Sequence, residues 1–405
     1  MTGTSRIVVV GGGLAAATAV TELRERGFAG SVTVVGVESR APYERPPLSK
    51  GVLTGDEEPD TALVHPAEWY AEHDVELLLG EPATAIDRAA RTVEVGDRQL
   101  GYDALLLATG ATPRRLPAAD DSGAPVLYLR TMEDSLALRA TLAGGARTLV
   151  VGAGWIGLEV ASAARRAGAD VVMVDPAEAP LARSLGARAG AFFADLHRGH
   201  GVDLRLGTGV EGFRGGRDGA VVTLGDGTRV EADLVVVGIG VRPEVGLAQQ
   251  AGLDTDDGIL VDGALRTADL RVWAAGDVAS HDHPMLGRLR VEHWDTAIQQ
   301  GRHVARGMLG DVTPYAVQPY FFTDQYDWGM EYVGHCRPDD DVVVRGRPDS
   351  GLVLVWTRAG RVVAGMQVND WDATDVLRRL VGAPAPAGLD DPDVPLAELG
   401  AAARS

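Results

Sequence analysis

The chain repeats one hydrophobic pattern. Ile7-Val8-Val9-Val10 and Leu149-Val150-Val151 are short, uninterrupted apolar runs rich in β-branched residues, the pattern of a strand covered on both faces. Each run ends in a glycine turn. The first is Gly11-Gly12-Gly13-Leu14-Ala15-Ala16; the second, 141 positions later, is Gly152-Ala153-Gly154-Trp155-Ile156-Gly157. A helical pattern follows each turn, over 18–27 and 158–168, and a second apolar strand follows each helix, over 32–35 and 171–174. The chain therefore carries two βαβ starts of the same design.

Two later apolar strands also echo one another, over 102–110 and 233–240, and a short one at 272–274 runs into Ala275-Gly276-Asp277-Val278. The first unit is unfinished when the second begins. The simplest arrangement nests the second domain inside the first, with crossings near 113–116 and 241–243. From about residue 315 the pattern changes. Residues 352–357 and 362–368 alternate around the turn 358–361 and read as a hairpin, and 375–380 reads as a short helix. The end, rich in Ala, Pro and Asp, reads as a loosely ordered tail. The expectation is an α/β protein with two nested Rossmann-like dinucleotide-binding domains, residues 1–113 with 242–314 and residues 114–241, and an α+β C-terminal domain, residues 315–405.

A glycine turn between a strand and a helix aims unpaired backbone N–H groups at a pyrophosphate. In the second turn Gly152 permits the sharp bend, Gly154 lets backbone approach phosphate, and Gly157 lets the helix pack on the strand. Asp175 ends the next strand, 18 positions beyond Gly157. A carboxylate there accepts hydrogen bonds from an adenosine ribose and repels a 2′-phosphate, which favours NADH over NADPH. The first turn ends in Ala16, and Gly36 stands where Asp175 stands in the second. The nearest acid is Glu38, so the main chain at Val37 and the Glu38 carboxylate share the expected ribose contact. Thr109, Gly110, Gly240 and Gly276, in the turns that end later strands, and Ile156 in the second glycine turn complete the expected cofactor-binding set.

Between the units lies Pro42-Tyr43-Glu44-Arg45-Pro46-Pro47-Leu48-Ser49-Lys50. The two prolines exclude a helix through this segment, which reads as a rigid loop holding Arg45 and Lys50. Such a cation stabilises a reduced, anionic flavin ring; the plainer reading is a stiffened loop with solvated charges.

Composition narrows the field. A chain of 405 residues predicts two or three domains. The net charge of −19 argues against a broad nucleic-acid surface. An acidic protein partner would need a local basic patch, and arginines are plentiful late in the chain. The single cysteine, Cys336, excludes a disulfide, a Cys-x-x-Cys pair and a cysteine-ligated iron–sulfur cluster within this chain, and reads as packing. No run approaches the roughly 18 apolar residues of a membrane span. No leader precedes the first strand, so a cytoplasmic protein without membrane contact is expected.

The run PYERPPLSK, the internal LVVGAGWIGLEVA, AAGDVA near residue 275 and VEHWDTAIQQG together resemble the FAD-dependent, NADH-oxidising ferredoxin reductases of the glutathione-reductase-like superfamily. The resemblance covers essentially the whole chain. It implies tightly held FAD on the outer domain, NADH as co-substrate on the inner one, and a two-iron two-sulfur ferredoxin as acceptor, feeding a haem monooxygenase or Rieske dioxygenase. It implies that Gly11, Gly13, Leu14, Ala15 and Ala16 hold the FAD pyrophosphate. Lys50 matches a lysine near the flavin, Ala83 a main-chain contact to adenine, and Arg130 an FAD-binding arginine. Asp277 matches a ligand of the ribityl chain, Trp294 a residue lining the isoalloxazine, and Glu159 a partner of the lysine. Lys50 and Glu159 are the expected catalytic pair. Two departures stand out: many relatives carry an acid where Val37 stands, and Phe322, in Phe321-Phe322-Thr323-Asp324-Gln325-Tyr326, replaces a tryptophan.

A disulfide reductase on this scaffold needs cysteines the chain lacks. A monodehydroascorbate-type reductase and a redox-responsive, apoptosis-inducing-factor-like flavoprotein are the alternatives. Three smaller signals have plain readings. His281-Asp282-His283 is expected in an exposed loop without metal, Trp371-Asp372 in packing and capping, and Asp339-Asp340-Asp341 in a solvated turn.

Overall fold

The computed structural model describes residues 4–216, 219–347 and 351–402, and these divide into two compact units. One comprises residues up to Arg45, Pro59–Thr112 and Val241–Pro319; the other comprises Pro46–Glu58, Pro113–Gly240 and the chain from Tyr320 onward.

The first unit is built on a five-stranded parallel sheet. Its order is Val272–Ala274, Ala104–Leu107, Arg6–Val10, Ser31–Gly36, Val75–Leu79. The strand that enters the glycine turn is central, buried through Ile7, Val8, Val9 and Val10. The helix Leu14–Glu25 lies on the sheet and the helix Trp294–Met308 lies against it; a Cβ on Gly301 would stand 2.5 Å from the Ala15 carbonyl oxygen, so only glycine admits that approach. A small antiparallel sheet, Ala83–Asp87, Thr92–Val95 and Arg98–Gly101, completes the unit.

The second unit repeats the plan. Its parallel sheet runs Asp203–Leu206, Val171–Asp175, Thr148–Val151, Leu234–Val237, Val126–Leu127, again with the glycine-turn strand in the centre. The duplication read from the hydrophobic pattern is thus a duplication of four strands in one order; the fifth, Val272–Ala274, follows the other four in sequence in the first unit, whereas its counterpart Val126–Leu127 precedes them in the second. The same unit carries a five-stranded antiparallel sheet ordered Tyr320–Gln325, Trp328–Gly334, Arg361–Val368, Gly351–Arg358, Asp341–Arg347. The expected hairpin joins Gly351–Arg358 to Arg361–Val368 across Ala359 and Gly360, both with positive φ. The helix Ala373–Leu380 packs on this sheet.

Five expectations need correction. Both glycine-turn helices begin earlier than the sequence pattern, at Leu14 and Trp155, because the turn passes straight into the helix; they end at Glu25 and Arg166, before Gly27 and Gly168 in the left-handed conformation. The proline pair does not exclude a helix: Pro46–Ser49 forms one 3₁₀ turn, with the prolines at its start, where a missing N–H costs nothing. His281 and His283 lie in the strand Ala279–His283 and are almost fully buried around Tyr315, not in an exposed loop. The Asp340 side chain is only 3% exposed and takes a two-pronged ion pair from Arg358, 2.6 Å on each arm, so this acid is structural. The tail is ordered within the described residues: Leu396–Ala402 is a helix, and Leu389 and Leu399 join the core under Ala373–Leu380. Residues 403–405 of the expected tail lie outside the described residues. Trp371 is half exposed, yet its ring covers Gly329; Asp372 holds the N-cap position of the Ala373–Leu380 helix without a side-chain cap bond.

Candidate functional site

In the first unit the expected cofactor residues gather at one edge of the sheet. In a parallel sheet all strands end on the same edge, and ligands bind there. Gly11 leaves the central strand with φ +126°, and a Cβ on it would lie 2.0 Å from the Ala108 carbonyl oxygen. Gly13 caps the following helix, whose first N–H groups, from Leu14 through Ala16, have no partner within the helix. No acidic side chain occupies that first turn, so its positive end is not offset by a carboxylate of the helix itself. Thr109 and Gly110 follow the neighbouring strand; Thr109 Oγ1 donates to the Glu244 carbonyl at 2.7 Å, and Gly110 has φ +70°. Gly276 and Asp277 follow the next strand in a 3₁₀ turn, where the Gly276 N–H donates to Gln300 Oε1 at 2.9 Å.

On the other side of the turn, Val37 is 72% exposed. The Glu38 carboxylate is held by Arg45 at 2.8 Å and by the Tyr43 hydroxyl. Arg45 also lies over the Tyr43 ring and within electrostatic reach of Asp277. Ala83 opens its strand just after Gly80, whose N–H bonds the Glu38 carbonyl. Trp294 starts its helix and donates Nε1–H to Glu44 Oε2 at 3.0 Å. The edge thus offers a turn that only glycine can make against the Ala108 carbonyl, a helix N-terminus with unpaired N–H donors, and acceptor carboxylates at Glu38 and Asp277, the groups that suit a dinucleotide.

The second unit holds the other turn. Gly152 has φ +106°, and its Cβ would lie 2.4 Å from the Gly238 carbonyl oxygen; a Cβ on Gly157 would lie 2.0 Å from the Gly152 carbonyl. Both glycines are therefore obligatory, as the motif requires. Gly154 caps the helix Trp155–Arg166, whose first turn again has no acid, and Ile156 is exposed beside it. Asp175 stands at the end of its strand. Its two oxygens accept from the N–H groups of Ala153, at 2.7 Å, and Ala177, at 2.8 Å. Those bonds fix the carboxylate beside the glycine turn and leave each oxygen a further lone pair for a ribose hydroxyl. Gly240, with φ +99°, closes the Leu234–Val237 strand, and its carbonyl accepts from Arg114 N–H. The Arg130 N–H bonds Asp134, at the capping box of the helix Met132–Leu142.

The expected catalytic pair also lies in this unit. Lys50 follows the proline turn, which is tied down by the Ser135 hydroxyl on the Leu48 carbonyl at 2.7 Å. Lys50 Nζ donates to Glu159 Oε1 at 2.6 Å, and the Glu159 side chain is 4% exposed. Two residues missed from sequence complete the cluster: the hydroxyls of Ser49 and Thr323 also donate to Glu159. Phe322 lies 5.5 Å from the Lys50 ammonium in cation–π contact. The signal for Thr323 is the period-two alternation of Tyr320–Gln325, in which Thr323 and Gln325 are buried and Asp324 is exposed. Cys336 is buried, its Sγ donates to the Ser184 carbonyl, and burial pushes its thiol up to about 11. Among the described residues no group of three or more His, Cys, Asp or Glu is placed to hold a metal, and no helix is long and apolar enough to cross a membrane.

Residues 5–301 match the family model described as pyridine nucleotide-disulphide oxidoreductase, and residues 320–400 match the one described as reductase C-terminal. The chain is 41% identical to the ferredoxin–NAD(+) reductase component of the anthranilate 1,2-dioxygenase system of Burkholderia cepacia, over 96% of this chain and 98% of that protein. It is 40% identical to rhodocoxin reductase of Rhodococcus erythropolis, over 89% and 85% respectively. The reductase in the crystal structure of the covalent putidaredoxin reductase–putidaredoxin complex superposes with a TM-score of 0.94, at 35% identity and over all of both chains.

Proposed function

The chain belongs to the pyridine nucleotide-disulphide oxidoreductase family, among its ferredoxin reductases, and from that premise we propose that it is an NADH-dependent, cytoplasmic ferredoxin reductase that reduces a two-iron two-sulfur ferredoxin serving an oxygenase. It uses a flavin and NAD(H). We assign the flavin as FAD on residues 1–113 with 242–314, NADH to residues 114–241, and a third domain to 315–405. When bound, FAD supplies the acceptance of a hydride from NADH and the release of its two electrons one at a time.

The residues of the chain bind and orient. The N–H groups at Gly13, Leu14, Ala15 and Ala16 meet the FAD pyrophosphate, and Gly11 permits the sharp bend against the Ala108 carbonyl that aims them there. Asp277 takes the ribityl hydroxyls; Ala83, Val37 and Glu38 take the adenosine end. Arg45, Thr109, Gly110, Gly276 and Trp294 are the further residues we assign to FAD on the first unit, and Arg130 is assigned to it by the resemblance alone. Gly152, Gly154, Ile156, Gly157 and Gly240 seat the NADH pyrophosphate, and Asp175 selects its unphosphorylated ribose. Lys50 supplies positive charge to the flavin, and Glu159 fixes that charge in place.

One observation carries the reading. Two glycine turns of one build each follow the central strand of a five-stranded parallel sheet, but only the second has a carboxylate in register, at Asp175. That asymmetry suits an exchanging NADH on the second turn and a resident FAD on the first. Disulfide chemistry finds no support, because the single cysteine is buried with its thiol pushed up. Reduction of the holoprotein by NADH, followed by ferredoxin-dependent reduction of cytochrome c, tests the assignment.

A further inference from the structure

Beyond Glu159 the hydrogen bonding continues inward. Thr323 Oγ1 donates to Glu159 Oε1 and accepts from Gln325 Nε2 at 3.2 Å. Gln325 Oε1 lies 2.8 Å from His197 Nε2, and His197 Nδ1 lies 3.1 Å from the Tyr326 hydroxyl. Gln325 and His197 are essentially without solvent contact. Tyr326 is stacked on His200 at 3.7 Å, and its N–H donates to Ser162 on the Glu159 helix. The helix Ala187–Gly199, the strand Tyr320–Gln325 and the helix Trp155–Arg166 are thereby linked by a continuous run of polar side chains.

The donors in this chain all point one way. A carboxylate only accepts, so the Thr323 hydroxyl must give its proton to Glu159 and take one from the Gln325 amide. The amide oxygen of Gln325 then needs a donor, which makes His197 the Nε2–H tautomer. His197 Nδ1 is left as acceptor for the Tyr326 hydroxyl. Neutral His197 is consistent with this, since burial pushes it down to about 4. Hydrogen bonds aligned head to tail polarise one another, and a buried network of this kind fixes its members when every one is satisfied.

We propose that His197, acting through Gln325 and Thr323, is a positioning residue for the Lys50–Glu159 pair: the one-directional chain ending on Glu159 Oε1 holds that carboxylate in the place from which it fixes the Lys50 ammonium. The inference rests on the assignment of Lys50 and Glu159 to the flavin reaction. It moves no proton along the chain, because the Gln325 amide interrupts any transfer. It assigns His197 an orienting role on the reaction from a helix that carries none of the expected site residues.

Four single variants and one double variant of the FAD-loaded protein test it, with Lys50→Met and Glu159→Gln as controls on the pair itself. His197→Leu and Thr323→Val break the chain; His197→Gln and Thr323→Ser keep a donor at each position. The expected result is a fall of about 5- to 20-fold in the limiting rate of flavin reduction at saturating NADH for the first two, by analogy with the loss of a hydrogen bond to a charged group. FAD content and the NADH dissociation constant stay constant, and the second two recover most of the rate. His197→Leu with Thr323→Val costs no more than either alone, because both cut one chain. Nitrogen-15 spectra of the histidines, a readout independent of turnover, show His197 neutral with its proton on Nε2. Additive losses, no difference between His197→Leu and His197→Gln, or a proton on Nδ1 overturns the proposal. If His197→Leu fails to fold, the Thr323 pair and the spectra decide. If Lys50→Met and Glu159→Gln reduce at the parent rate, the flavin assignment itself falls; if they are slow while Thr323→Val is not, only the chain does.

Discussion

Lys50 and Glu159, 109 positions apart, meet at 2.6 Å with the carboxylate almost wholly buried. A buried charge stripped of its partner costs about 3 kcal/mol or more, so Lys50→Met destabilises the protein by roughly that amount. It also slows flavin reduction by NADH tenfold or more while FAD is retained. Rapid-mixing kinetics on the loaded variant check this; an unchanged rate removes Lys50 from the reaction.

Asp175 is fixed beside the second glycine turn by two backbone N–H groups. Asp175→Ser removes a charged acceptor for ribose hydroxyls, a bond of about 1.5–3 kcal/mol, so KM for NADH rises about tenfold or more. The kcat with NADH stays near its parent value, and the preference for NADH over NADPH narrows. Steady-state kinetics with both nucleotides read this directly.

Gly157 has no room for a side chain, with the Gly152 carbonyl 2.0 Å from where a Cβ would stand. Gly157→Ala must push the helix Trp155–Arg166 off its strand, at about 2 kcal/mol or more of stability. NADH binding weakens with it, because the turn and the helix N-terminus move together. A thermal melt with and without NADH shows both losses.

The buried histidines set an acid limit. Burial holds both His197 and His281 down to about 4, with the charge of His200 acting on the first and that of His283 on the second. Unfolded, both bind protons below about 6.5 while the native state does not, so stability falls as pH drops from 6.5 to 4. Each contributes about 1.4 kcal/mol per pH unit in that window. Thermal midpoints measured between pH 7 and pH 5 fall accordingly, and His281→Asn shallows the slope. An identical slope in that variant contradicts the assignment.

Much of this was legible in the sequence because it is local. The glycine turns announce themselves through β-branched runs and obligatory small residues, and the structure adds the contacts at Ala108 and Gly238 that explain them. The hairpin over 351–368 was legible through alternation. What was not legible depends on distant partners. Asp340 looks like one acid in a solvated run until Arg358, 18 positions on, covers it. His281 and His283 look exposed beside Asp282 until Tyr315 closes over them. Glu159 could be paired with Lys50 only by resemblance, and Ser49, Thr323, Gln325 and His197 join it only through the fold, since no spacing rule links residues 49, 159, 197 and 323.

The most direct test of the central claim is NADH-driven reduction of cytochrome c by the FAD-loaded protein, with and without an added two-iron two-sulfur ferredoxin. The assignment predicts rapid flavin reduction by NADH and cytochrome reduction that depends on the ferredoxin and saturates with it. Rapid flavin reduction with no electron delivery to any such ferredoxin would contradict it, and would point to a flavoprotein that responds to NADH rather than one that passes its electrons on.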